Sequence, residues 1–237
     1  MHRFFIKSPD IKKNILDIDD QRIIFQLNKV LRMKTGSRFN MFDEDGREQA
    51  VEILEIDRHN IICNVLEDVK RKTEPEIEVN LYQAIPKKPA LFELVIQKAT
   101  EIGVSHIYPL ITNRTENNRI SKFDRMQVIA IEAAEQSRRT KIPVIHHPVN
   151  FNEAITKTKN VYVAYEYEES KSLADYLPAM NKAKTANIFI GPEGGFEQKE
   201  IDFAIKNKAC LFTLGTRILR TETAAISALS IILLSGC

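Results

Sequence analysis

The chain has 237 residues, 43% of them hydrophobic, enough to bury one large core or two modest ones. Its net charge of +2 excludes a global basic field, so any nucleic-acid contact must come from locally clustered basic residues. Cys63, Cys210 and Cys237 lie far apart without Cys-x-x-Cys spacing, which argues against a disulfide framework or a thiolate zinc site and suits a reducing cytosol.

The opening MHRFFIKSPD lacks the apolar core of a signal peptide. The most apolar run, AAISALSIILL (224–234), is well short of the ~20 residues of a membrane span. A soluble cytoplasmic protein is expected. Residues 1–70 read mostly as strand: SRFNMF (37–42), QAVEILEI (49–56) and NIICNVLE (60–67), with DEDG and DRHN turns between them. One helix, DDQRIIFQLNKVLRM (19–33), interrupts them, with apolar spacing at Ile23, Ile24, Leu27, Val30 and Leu31. A small barrel-like β domain is the economical reading. DVKRKTEPEIE (68–78) is charged, aperiodic and proline-containing, the pattern of a linker.

From there strands and helices alternate. VNLYQAI (79–85) is a strand, and Pro89 opens a helix that Gly103 stops. HIYPLI (106–111) is a strand and 122–139 a helix. VYVAYEY (161–167), NIFI (187–190) and CLFTL (210–214) are further strands, with helices at EQKEIDFAIKNK and TETAAISALSIILL. This alternation predicts an α/β fold with a parallel sheet, whose ligands sit at the carboxyl ends of the strands. His146–His147 is the only histidine cluster and reads as a surface pair rather than a metal site, because neighbouring residues on a strand face opposite ways.

Four of the eight glycines follow two of these strands: Gly191, Gly194 and Gly195 after NIFI, and Gly215 after CLFTL. GPEGGF is neither GxGxxG nor a Walker loop, and Glu193 stands where a phosphate loop would want lysine. The glycines let main chain approach a ligand closely; a plain tight turn with Glu193 in water is the alternative. Thr221 or Thr223 can cap the last helix, and Arg217 and Arg220 lie before its positive end, where they either hold an anion or pair with Glu193 or Glu222.

IGPEGGF with LGTRILRTETAAISAL resembles the signature pair of the RsmE-type enzymes, 16S rRNA uridine-N3 methyltransferases of the SPOUT superfamily. The likeness extends to LNKVLRMKTG (27–36), QAIPKKPALFELVIQKATEIGVSHIYPLITNRTE (83–116) and AAEQSRRTKIPVI (133–145). One departure is Thr216, where the family usually has proline, a residue that stiffens a loop by fixing φ. The resemblance implies a PUA-like β-barrel over 1–70 that helps hold RNA, and a SPOUT trefoil-knot domain over 71–237. It also implies a homodimer that binds S-adenosylmethionine, uses no metal and methylates N3 of a uridine of the small ribosomal subunit (by family, uridine 1498).

On that footing Gly191, Pro192, Glu193, Gly194, Gly195, Gly215, Thr221 and Thr223 are expected around the cofactor. Apolar Ile190, Leu214, Ile218 and Leu219 would form a slot for adenine. Arg220 is expected to stabilise the deprotonated uracil, and Glu222 or Glu135 to accept its proton. Arg3, Arg32, Lys34, Arg114 and Arg138 are the expected RNA contacts. A SPOUT enzyme acting on a ribose 2′-oxygen and a ribosome-binding module without catalysis are the rival readings.

Overall fold

The structure is a computed structural model and describes residues 1–120 and 122–235, so Cys237 lies outside the described residues. The chain forms two compact units: Met1–Glu74 together with Ala134–Ile142, and Pro75–Ala133 together with Pro143 onward.

In the first unit, β1 (Arg3–Phe5) is followed by a hairpin of β2 (Ile11–Lys12) and β3 (Ile15–Ile18). Lys13 and Asn14 join these strands with φ of +50° and +63°, the double left-handed turn that matches strand twist. Asp20 caps α1 (Gln21–Phe25) by accepting the Arg22 N–H, and the helix widens into a π turn over Gln26–Val30. The expected helix over 19–33 is therefore shorter, stopped by Arg32 in the left-handed region at φ +52°. β4 (Arg38–Phe42), β5 (Glu48–Ile56) and β6 (Ile61–Asp68) complete a sheet in the order β1-β4-β5-β6-β3-β2. All its pairs are antiparallel except β1–β4. Ile23, Ile24 and Leu27 of the helical segment are buried with Leu16, Phe39, Met41, Val51 and Ile53, so one helical stripe closes the apolar face of the sheet.

In the second unit every strand pair is parallel. The order of elements is β7 (Glu78–Ala84), α2 (Pro89–Ile102), β8 (His106–Ile111), α3 (Phe123–Ser137, of which the residues from Ala134 on count with the first unit), β9 (Val144–Ile145), β10 (Val149–Asn150) and α4 (Phe151–Lys157). Then come β11 (Val161–Ala164), α5 (Leu177–Ala183), β12 (Thr185–Ile190), α6 (Gln198–Lys206), β13 (Cys210–Phe212) and α7 (Thr221–Leu234). The sheet runs β10-β8-β7-β12-β11-β13, with β9 also on β8. Pro89 sits in the first turn of α2 and Gly103 ends it at φ +118°, as the sequence predicts. The strand expected over 161–167 stops at Ala164, where Tyr165–Glu168 closes a turn, and the strand expected over 210–214 stops at Phe212. Both shortenings lengthen the loops at the carboxyl edge of the sheet.

Candidate active site

Five strands of the second unit release their chains at the same sheet edge, and the loops after β7, β8, β11, β12 and β13 are tied to one another by named contacts. Gly191 opens the loop after β12; a Cβ there would meet the Phe196 ring at 3.2 Å, so the glycine admits that ring. Gly195 N–H donates to Pro192 O at 2.9 Å, with Gly195 at φ +69°, which closes the turn in a conformation that favours glycine. α6 then starts on a capping box in which Glu197 and Glu200 each accept the other's backbone N–H. The second Glu200 oxygen accepts from Asn113 N–H, which binds the loop after β8 to the same helix start.

Thr221 joins the two glycine loops. Its hydroxyl donates to the half-buried Gly191 O at 2.6 Å and accepts from buried Gln83 Nε2 at 2.8 Å. The expected cap is thereby corrected: Arg220 is the N-cap residue of α7, with no side-chain capping bond, and Thr221 is one position further on. The hydroxyl serves the Gly191 carbonyl instead of the helix. Gly215 has φ +111° and open space where a Cβ would stand, and its N–H is held by Thr213 Oγ1 at 3.1 Å. Thr216, Arg217 and Arg220 around it are exposed.

The acids at this edge have separate fates. Glu193 accepts the Lys87 backbone N–H at 3.0 Å. Glu222 is 9% exposed in the first turn of α7. Among the described residues neither acid pairs with Arg217 or Arg220, so the bracing ion pairs allowed by the sequence do not form. Arg114 donates to Gly194 O and acts as a clamp on the glycine loop, its side chain otherwise exposed.

Several expected site residues sit differently. Ile190 is 2% exposed with its side chain in the sheet, which leaves only its main chain for a ligand, whereas Ile218 is 87% exposed. Leu214 and Leu219 are half-buried beside Gly215, Pro192 is buried, and Thr223 faces solvent. Arg3 is not a phosphate contact: its side chain is 3% exposed. The guanidinium makes a two-pronged contact with Glu48 at 3.1 and 3.0 Å and donates to the carbonyls of Ala134, Glu135 and Arg139. Glu135 belongs to the first unit, where its carboxylate accepts Phe5 N–H at 2.9 Å and Arg22 Nη1 at 3.0 Å. Arg32 and Lys34 are exposed and line a cleft of about 410 Å³ with Asn28, Met33, Thr35 and Ile56. Arg138 is exposed at φ +65°.

His147 is exposed, as expected of a surface pair, whereas His146 is half-buried. Its Nε2 lies 2.9 Å from His106 Nδ1, and its ring stacks on Tyr108 with centroids 3.9 Å apart. His147 stacks on Phe123, and no cluster of three or more metal-ligating side chains occurs among the described residues. Sequence reading also missed Gln83, Lys87, Asn113 and Glu166. Gln83 carried a signal, a polar side chain next to the carboxyl end of a largely apolar strand; the other three belong to loops whose pairing no periodicity encodes.

A protein-family profile described as an RNA methyltransferase domain matches residues 73–233. The chain is 31% identical to the ribosomal RNA small subunit methyltransferase E of Bacillus subtilis over 222 residues, 88% of this chain and 86% of that one. The chain belongs to the small-subunit ribosomal RNA methyltransferase E family. Two solved structures extend the family likeness. One is the methyltransferase E of Neisseria gonorrhoeae bound to S-adenosyl methionine, with TM-score 0.85 and 28% identity over 97% of this chain and 95% of that one. The other is a methyltransferase from Legionella pneumophila in complex with the same cofactor, with TM-score 0.87 and 29% identity over 98% and 97%. The family profile covers both glycine loops, the Arg114 clamp and Thr221.

Proposed function

We propose that the chain transfers the methyl group of S-adenosylmethionine to N3 of a uridine in 16S rRNA of the small ribosomal subunit (by family, uridine 1498). The observation that carries this reading is the joint between the two glycine loops, where Thr221, at the start of the helix that follows the Gly215 loop, holds Gly191 O. The fit to this cofactor is chemical. The glycine loop meets carboxylates and carbonyls, and Arg114, the cation that contacts it among the described residues, is spent on Gly194 O. Such a lining suits a ligand with a sulfonium and an ammonium and no phosphate. When bound, the cofactor supplies a methyl group on a sulfonium that departs as a neutral thioether.

The chain's own residues have two tasks. One is to align the acceptor nitrogen with the donor, which alone removes much of the entropic barrier. The other is to handle the imide proton of N3. Arg220, exposed at the start of α7, stabilises the negative charge that develops on the ring. Glu222, two positions on and nearly out of water, accepts the proton. Glu135 braces Phe5 and Arg22 rather than serving as the base. Leu214 and Leu219 flank the adenine, while Gly191, Pro192, Glu193, Gly194 and Gly195 present main chain to the nucleoside.

The same reading takes residues 1–70 as a PUA-like barrel and 71–237 as a SPOUT trefoil-knot domain, in a cytoplasmic homodimer. The half-buried Ile226, Ser227, Ser230 and Ile231 with exposed Leu234 leave one face of α7 for a partner subunit. Arg32, Lys34 and Arg138 hold RNA phosphates. Nucleoside mass spectrometry of ribosomal RNA from a deletion strain tests the reaction. Loss of 3-methyluridine is expected; loss of a 2′-O-methyl nucleoside instead would assign the chain to ribose chemistry. Thermal melting tests the cofactor: at ~100 times its dissociation constant a ligand of the folded form adds about 2.7 kcal/mol. No shift at millimolar cofactor would favour a binding module without catalysis.

A further inference from the structure

We propose that Glu166 binds the ribose hydroxyls of the adenosyl group, an inference that rests on the cofactor reading above. Glu166 follows Tyr165 in the turn after β11, the strand that pairs with β12. A Cβ built on Gly195 would lie 2.3 Å from Glu166 Oε1 and 3.2 Å from its carboxyl carbon. The carboxylate therefore fills the space that Gly195 leaves, directly against the glycine loop. Gly195 is a glycine for two reasons, its φ of +69° and this neighbour.

The neighbouring acid of the same turn shows the contrast. Glu168 is consumed locally, accepting from Ser170 N–H, Ser170 Oγ and Lys171 N–H. Glu166 has no hydrogen-bond or ion-pair partner among the described residues, and it is exposed. Its backbone is fixed all the same: Glu168 N–H donates to Tyr165 O, and Tyr165 OH donates to Gln198 Oε1 at 3.0 Å. An acid on a fixed turn, touching the ligand loop and with its acceptors unspent, is preorganised for donors that arrive with the ligand.

The register says which donors. In the doubly wound dinucleotide-binding fold, a glycine loop follows the first strand and an acid about 20 residues further on accepts the ribose hydroxyl. Here the glycine loop follows β12 and Glu166 stands past the end of its neighbour β11, so strand adjacency supplies an acid beside the loop without the GxGxxG fingerprint. A carboxylate can take both hydroxyls of a cis-diol, one on each oxygen.

The test is calorimetry on the full chain with S-adenosylhomocysteine and its 2′-deoxy and 3′-deoxy counterparts, for the native protein and Glu166→Gln. In the native protein, removing a hydroxyl is expected to weaken binding on the order of 10-fold or more, as for a hydrogen bond to a charged group. In Glu166→Gln the parent ligand weakens comparably and the deoxy penalty shrinks. A deoxy penalty unchanged in Glu166→Gln overturns the proposal. So does a variant that weakens S-adenosylmethionine far more than S-adenosylhomocysteine, whose sulfur is uncharged, since that places the carboxylate at the sulfonium. Failure of the native protein to bind either adenosyl ligand would instead reject the cofactor reading itself, and a matching melting temperature for the variant confirms an intact fold.

Discussion

Glu48 shows how an ionic group can be buried without loss. Burial pushes its carboxyl up, and hydrogen bonds from Arg3, Asn40 and Arg71 outweigh that and hold it below the usual carboxylate range. Glu48→Gln would leave the Arg3 guanidinium buried without its counter-charge, and a loss of about 3–5 kcal/mol in denaturant unfolding is expected. Thr221→Val removes a donor from Gly191 O and an acceptor from Gln83 together. A cost of about 1–3 kcal/mol is expected, together with weaker cofactor binding by calorimetry, because the joint between the glycine loops is lost. The sequence named Arg3 for RNA because an arginine near a chain start reads as surface charge. Only the fold brings Glu48 and three carbonyls from residues beyond position 133 to meet it.

Elements with strong punctuation were legible. Pro89 and Gly103 bound α2, and the apolar run after Arg220 is α7, since backbone chemistry at helix ends is local. α4 and α5 were missed because seven residues hold too few turns to show a period. β1 to β3 were missed because two to four residues alternate too briefly, and the Lys13–Asn14 turn lacks the glycine that usually marks it. The glycine loops were legible as loops at the carboxyl edge of the sheet, whereas Glu166 was read as strand because YVAYEY alternates well past Ala164. The sheet also predicts a pH response. Burial, then His106 and His147, depress the His146 imidazole below its ordinary value. A base with a depressed folded value stabilises fully above its unfolded value of ~6.5 and loses that contribution as pH falls towards the folded one. Unfolding free energy is expected to fall between about pH 7 and pH 5, and His146→Phe should flatten that slope.

For the whole molecule, the proposed role of Arg220 can be separated from stability. Arg220 is exposed and makes no ion pair among the described residues, so Arg220→Ala should keep the melting temperature and cofactor affinity and lose turnover, on the order of 100-fold or more for a transition-state contact. Full methylation of rRNA by that variant would remove Arg220 from the mechanism. The α/β class was readable from alternation alone. A knot is not readable that way, because chains almost never thread their own loops and no residue pattern announces one, so the knot proposed above rests on the family resemblance alone.

The first unit borrows Ala134–Ile142 from far along the chain, and Arg3 and Phe5 reach their acceptors there. During synthesis β1 leaves the ribosome well before those acceptors exist. The N-terminal unit is therefore held open until residue 142 emerges, and a fragment ending at Glu74 would carry a buried guanidinium short of three carbonyls. The first strand made thus waits for partners synthesised after β7, α2 and β8, while the second unit is itself complete only once α7 has been made.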